Sequence, residues 1–179
     1  MTDGISRLLD RAALQDLMTR YAQGVDRRDW AAVRDTFHAD ATDDHGDYQG
    51  GVDGFIEWVS TRHAQIDQSM HFLGNCLIEF AGDDRALVET YYVARQRSPG
   101  AIVMGGGATS GEVDVEVLGR YVDIAERRDG VWRTARRTVA FETMRTWPVS
   151  GPALPASWAL ARRDDKDPLH AARRELGLA

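Results

Sequence analysis

Four long segments in the second half of the chain limit what it can fold into. Residues 70–80 (MHFLGNCLIEF), 85–97 (RALVETYYVARQR), 113–128 (VDVEVLGRYVDIAERR) and 131–147 (VWRTARRTVAFETMRTW) are rich in β-branched and aromatic residues. Such composition fits a pleated, half-buried surface, so all four read as strands. The step Arg128-Asp129-Gly130-Val131 joins the last two as a tight hairpin, because Asp-Gly accepts the positive φ that such turns demand. Ser98-Pro99-Gly100 and Gly105-Gly106-Gly107 read as a flexible connection between strands.

The first part of the chain has a different period. Residues 5–24 set Ile5, Leu8, Leu9, Ala12, Ala13, Leu17 and Tyr21 near a three-to-four spacing, which predicts an amphipathic helix with Gly24 as its stop. Asp29 is a good N-cap for a second, short helix in DWAAVRDTF. A third helix is expected over about 53–65, capped by Asp53 and burying Phe55, Ile56, Trp58 and Val59. Between the last two, HADATDDHGDYQGG is polar and turn-rich.

Helices followed by long antiparallel strands indicate the α+β class, with helices on one face of a curved sheet. A strongly curved sheet with helices across its mouth forms a cone around an apolar pocket. Residues 1–147 are expected to make this domain. Residues 148–179 are expected to be an extension: Pro148, Pro152 and Pro155 keep it irregular, ARRDDKDP is a solvated charge run, and PLHAARREL allows one short helix. Such a tail would wrap the body or a neighbouring subunit.

Composition removes several classes of function. The net charge of −6 argues against a general nucleic-acid binder, despite the local pairs Arg127-Arg128 and Arg136-Arg137. No apolar run approaches the roughly 20 residues needed to cross a membrane. The segment MTDGISRLLDR carries charges within its first turns and lacks a signal-peptide apolar core, so a cytoplasmic address is expected. Cys76 is the only cysteine, which leaves no intrachain disulfide and no thiolate metal cluster.

Few polar residues sit where a strand pattern would turn them inward. Alternation in the first long strand puts His71, Leu73, Asn75 and Leu77 on one face and Phe72, Gly74, Cys76 and Ile78 on the other. In the last strand Arg137 shares a face with Val139 and Phe141, where it is costly to bury without an anionic partner. Asp26 is either a turn residue bonded to nearby amides or the carboxylate partner of His71. Paired with Asp26, His71 would have a fixed tautomer and could act as a general base. His38, Asp40, Asp43, Asp44, His45 and Asp47 crowd one segment, but their spacing fits no zinc pattern. No GxSxG is present, and the three glycines lack the setting of a phosphate loop.

RAALQDLMTRYAQGVDRRDW, the strand histidine in SMHFLGNCLIEF and YVDIAERRDGVWRTARRTVAF together resemble the SnoaL-like branch of the nuclear transport factor 2-like superfamily. Within it they are similar to the group holding gamma-hexachlorocyclohexane dehydrochlorinase, bile acid 7α-dehydratase and scytalone dehydratase. The resemblance covers about residues 5–147. It implies a cone-shaped α+β barrel, a curved mixed or antiparallel sheet closed by N-terminal helices, with no metal or organic cofactor.

The resemblance also implies a site: a catalytic Asp26–His71 dyad, Tyr21 five residues before the aspartate, and Arg137 from the last strand, with Arg136 as the register alternative. The implied activity is a cofactor-independent lyase, a dehydratase that performs β-elimination on a hydrophobic, cyclic small molecule. An isomerase or polyketide-type cyclase could use the same scaffold, as could a non-catalytic binding protein or an assembly subunit like the small subunit of ring dioxygenases. A homo-oligomer, trimer or dimer, is expected, because the outer sheet face needs cover. The stretch Glu89-Thr90-Tyr91-Tyr92-Val93-Ala94 offers no second His or Asp matching those of the dehydratases.

Overall fold

The computed structural model describes residues 2–99 and 111–178. The Gly105-Gly106-Gly107 connection lies outside the described residues. In chain order the elements are α1 (Thr2–Arg27), α2 (Trp30–Asp35), β1 (Phe37–Asp44), β2 (Gln49–Gly51), α3 (Val52–His63), β3 (Gln68–Phe80), β4 (Arg85–Pro99), β5 (Glu112–Arg128), β6 (Val131–Pro148) and α4 (Pro168–Glu175).

The six strands form one sheet in the order β2-β1-β6-β5-β4-β3. β1 runs parallel to β6 and every other pair is antiparallel. The two edges, β2 and β3, are not hydrogen-bonded to each other. The sheet therefore curls without closing, and helices cover its concave side. At the β5–β6 hairpin Asp129 has φ 51° and Gly130 φ 78°, the paired positive values of a tight primed turn.

The segment expected to be turn-rich is largely strand. Phe37–Asp44 pairs with β6, and Thr42, Asp43 and Asp44 also pair with β2. A polar sequence is drawn into the sheet because Phe37, Ala41 and Asp43 can alternate toward the interior. The order is thus not helices first and strands afterwards, since β1 and β2 precede α3.

Gly24 does not stop α1, which continues to Arg27 and breaks at Arg28 with φ 59°. Gly24 instead permits close packing: a Cβ there would lie 2.7 Å from Val33 Cγ2. The buried stripe of α1 is also out of phase with the apolar count. Leu14, Leu17, Met18, Tyr21, Ala22 and Val25 are inside, whereas Ile5, Leu8 and Leu9 are exposed. In the first turns the inward positions belong to Arg7, bonded to Gly82 and Asp83, and to Asp10, which accepts from Arg127 and Trp132. Asp29 caps α2 through Ala32 N–H, as expected. Asp53 does not cap α3; that position is Gly51, and the Asp53 carboxylate takes Arg34 Nε at 2.8 Å.

Bulges on two strands, one on β3 and two on β6, decide which side chains face inward. On β3 the pairing slips between Leu73 and Cys76. An inserted residue reverses the alternation. Ser69, His71 and Leu73 face in before the slip; Cys76 and Ile78 face in after it, not Asn75 and Leu77. β6 slips opposite Leu118/Gly119 and again opposite Ile124/Ala125. Two apolar clusters result, one around Tyr21, Phe37, Phe55 and Tyr121, the other around Leu14, Leu17, Val88 and Trp132.

Among the described residues no helix is long and apolar enough to cross a membrane.

Candidate active site

Asp26 lies in the last turn of α1 rather than after it. There it is buried, with its carboxylate aimed at the edge strand β3 instead of at neighbouring amides. Oδ1 accepts from Ser69 Oγ at 2.8 Å and meets His71 Nδ1 at 2.7 Å; Oδ2 accepts from the His71 backbone N–H at 2.7 Å. Ser69 and His71 are two apart on one strand and so share a face. Both oxygens are thereby committed, and His71 Nδ1 is occupied. The nitrogen left for a ligand is Nε2. Burial raises the Asp26 pKa, but hydrogen bonds and charge from His71, with help from Ser69, outweigh it and hold the carboxyl below its ordinary value. Asp26 therefore stays anionic beside the imidazole.

His71 and Tyr21 line one interior cavity of about 40 Å³, together with Tyr92, Tyr121, His45 and Arg62. A cavity that takes up a benzene ring measures about 150 Å³, so a ring-sized ligand enters here only if wall side chains move. Phe141 and Trp58 also border the cavity, and Phe141 is substantially exposed. A wider surface groove between α1 and β3 touches Asp26 and His71 from outside. Burial keeps the phenols of Tyr21, Tyr92 and Tyr121 well above the ordinary tyrosine value, although the Arg137 charge opposes this. All three remain hydrogen-bearing donors at neutral pH.

Of the two arginine alternatives, Arg137 faces in and Arg136 faces out. Arg137 nevertheless does not border the cavity. Its Nε and Nη2 make a two-point pair with Asp123 at 2.8 and 2.7 Å, and both side chains are fully buried. The guanidinium lies 3.9 Å from the Tyr21 ring centre and 4.4 Å from that of Tyr121, so the two rings stand on it. The anionic partner that burial demands is thus a residue of β5, not a substrate.

Several neighbours had no sequence signal of their own. Arg62 Nη1 donates to Gln96 Oε1 at 3.2 Å, and His63 Nδ1 accepts from Arg163 at 2.9 Å. Burial, reinforced by the charges of Arg163 and Arg62, pushes His63 down to about 2, so it stays neutral. The crowded segment divides: His38 meets the Glu126 carbonyl, Asp40 takes Arg128, and Asp43 takes His45. Among the described residues no three His, Cys, Asp or Glu side chains converge on a common metal position.

The model of the SnoaL-like domain matches residues 6–138, most of the chain. The chain belongs to the SnoaL-like family. Gamma-hexachlorocyclohexane dehydrochlorinase from Sphingobium indicum is 24% identical to this SnoaL-like chain over 136 residues, covering 74% of the chain and 81% of the relative. Hexachlorocyclohexane dehydrochlorinase 1 of the same species is likewise 24% identical, over 135 residues. A solved structure of a provisionally named scytalone dehydratase from Novosphingobium aromaticivorans superposes with a TM-score of 0.69 at 21% identity, covering 89% of this chain and all of that one. A solved type 2 hexachlorocyclohexane dehydrochlorinase gives 0.69 at 23%, covering 86% and 99%. The curved sheet with N-terminal helices is therefore the fold of this SnoaL-like protein, and its named relatives are lyases of small molecules.

Proposed function

We propose that the chain is a cofactor-independent lyase, a dehydratase that carries out β-elimination on a hydrophobic, cyclic small molecule. The observation behind this reading is the 2.7 Å contact between His71 Nδ1 and an Asp26 carboxylate whose other hydrogen bonds hold it still. Asp26 orients the imidazole and stabilises the imidazolium that forms when Nε2 removes an acidic C–H proton. Tyr21, kept as a phenol, donates to the oxygen on which charge develops. Arg137 acts from beneath, holding Tyr21 and Tyr121 through its charge, and does not touch substrate. The aromatic and aliphatic walls hold the ring by burial.

The test is turnover of a panel of one- and two-ring β-hydroxy ketones, followed by enone absorbance. His71→Ala and Asp26→Asn are each expected to lower the rate by roughly 10²–10⁴-fold, the usual span for general-base assistance. Exchange of the α-proton without loss of water would move the reading to an isomerase or cyclase. Ligand binding unaffected by either substitution, with no turnover, would make it a binding protein.

Met70, Phe72, Leu77 and Tyr91 leave apolar surface on the outside of β3 and β4. This supports a homo-oligomer, trimer or dimer. A monomer by light scattering at micromolar concentration would contradict it.

A further inference from the structure

The cavity wall carries a second histidine, His45, that is paired with an aspartate and that the base chemistry does not use. His45 stands in the turn between β1 and β2, where its backbone N–H donates to Tyr48 O at 2.7 Å. Its ring is stacked on Phe55, centroids 5.2 Å apart and planes 29° apart, with Trp58 at 5.7 Å. His45 Nδ1 meets Asp43 Oδ1 at 3.1 Å, and the ring borders the same cavity as His71. With Nδ1 occupied, Nε2 is again the nitrogen left for a ligand.

Topology places the two pairs apart. His71 is on β3, one edge of the sheet, and His45 follows β1, next to the other edge. Both histidines nevertheless border the same cavity.

His45 could serve only as an aromatic wall residue. Asp43 argues against that. It is 2% exposed, and its Oδ2 is buried without a hydrogen-bond partner. A carboxylate so placed costs stability, and an apolar wall built with Phe at position 45 would need none. Asp43 from β1 bonds the ring, and the other charged or titratable groups that border the same cavity are Arg62 and His63 from α3, His71 from β3 and the phenols of Tyr21, Tyr92 and Tyr121. Beneath them the Arg137–Asp123 pair neutralises itself.

We propose that His45, held by Asp43, is the catalytic acid that protonates the departing oxygen, and that the substrate is accordingly a β-hydroxy carbonyl compound. This rests on the dehydratase reading and deepens it. Chloride or acetate departs as a stable anion, whereas hydroxide is a poor leaving group and gains from a proton donor in the transition state. His71 Nε2 takes the α-proton and the C–H electron pair becomes the enolate. That pair then forms C=C as the C–O bond breaks, its electrons passing to oxygen. His45 Nε2–H gives its proton to that oxygen, which leaves as water. His71 ends protonated and His45 neutral, and one proton transferred through solvent resets both. Asp43 is a positioning residue.

The experiment compares two ketones that share the base step: 3-hydroxycyclohexanone and 3-acetoxycyclohexanone, both yielding 2-cyclohexenone. His71→Gln is expected to lose both reactions. His45→Gln is expected to lose water elimination by about 10²-fold or more and to leave acetate elimination within a few-fold of wild type. Asp43→Asn should show the same selectivity with a smaller loss. If His45→Gln lowers both reactions equally, or neither, the acid assignment is overturned while His71 stands as base. If wild type eliminates neither group, or His71→Gln retains both, the base reading fails and this inference fails with it. Should His45→Gln not fold, His45→Phe keeps the stack on Phe55 and Trp58 and must give the same selective loss.

Discussion

Arg163 Nε donates to the backbone carbonyl of Asp26 at 2.8 Å, across 137 positions of sequence. The same guanidinium reaches the Val25 carbonyl at 2.9 Å, the Ile66 carbonyl at 2.6 Å and His63 Nδ1 at 2.9 Å. The last carbonyls of a helix have no partner within it, and a cation there also suits the helix dipole. The C-terminal tail therefore supplies the cap for the turn of α1 that carries Asp26.

Arg163→Ala should accordingly lower stability by roughly 2–3 kcal/mol, the scale of losing hydrogen bonds to a charged donor at a partly buried site. Urea unfolding measures this. Arg163→Lys should recover only part, since one ammonium cannot reach four acceptors in a planar fan.

Stability should fall with acid in two stages. His63 is held to about 2 in the folded chain, while the unfolded form takes up its proton near 6.5. A depressed histidine means that the unfolded state binds protons first, so stability declines as pH drops below about 6.5. Asp26 is depressed as well. Its contribution is present above its unfolded value of about 3.9 and disappears as pH falls through the lower folded value. Urea midpoints measured from pH 8 to pH 3 should trace this, and His63→Gln should flatten the first stage only.

Asp123→Ala leaves Arg137 as an uncompensated buried charge, and should cost about 3–5 kcal/mol. The double change Asp123→Leu with Arg137→Met, which removes both charges, should recover much of that loss. A double-mutant cycle on thermal unfolding separates the two cases.

Gly24→Ala should destabilise by about 1–3 kcal/mol through overpacking, because its Cβ would stand 2.7 Å from Val33 Cγ2 and 3.2 Å from the Asp29 carbonyl oxygen. Gly24→Ala combined with Val33→Ala should be closer to wild type than Gly24→Ala alone, by the same unfolding assay.

Sequence alone determined the parts of this protein that local rules govern. The four long strands, the Asp129-Gly130 turn and the Asp29 cap follow from side-chain shape, backbone freedom and a single hydrogen bond, none of which depends on distant residues. Resemblance brought Asp26 and His71 together on paper, although no spacing rule could have done so. Polar composition hid β1, because a strand that pairs on both sides can tolerate aspartates once one has a buried partner.

Tertiary structure decided the rest. A period-two pattern carries no record of a bulge, and one extra residue on β3 exchanged Leu77 for Ile78 as the inward side chain. The partner of Arg137 emerged only from the register that sets Asp123 opposite it. Curling brought His45 to the cavity that His71 borders, and the returning tail brought Arg163 to α1. Each of these depends on where two remote backbones meet, and that is settled by packing the whole sheet rather than by any one segment.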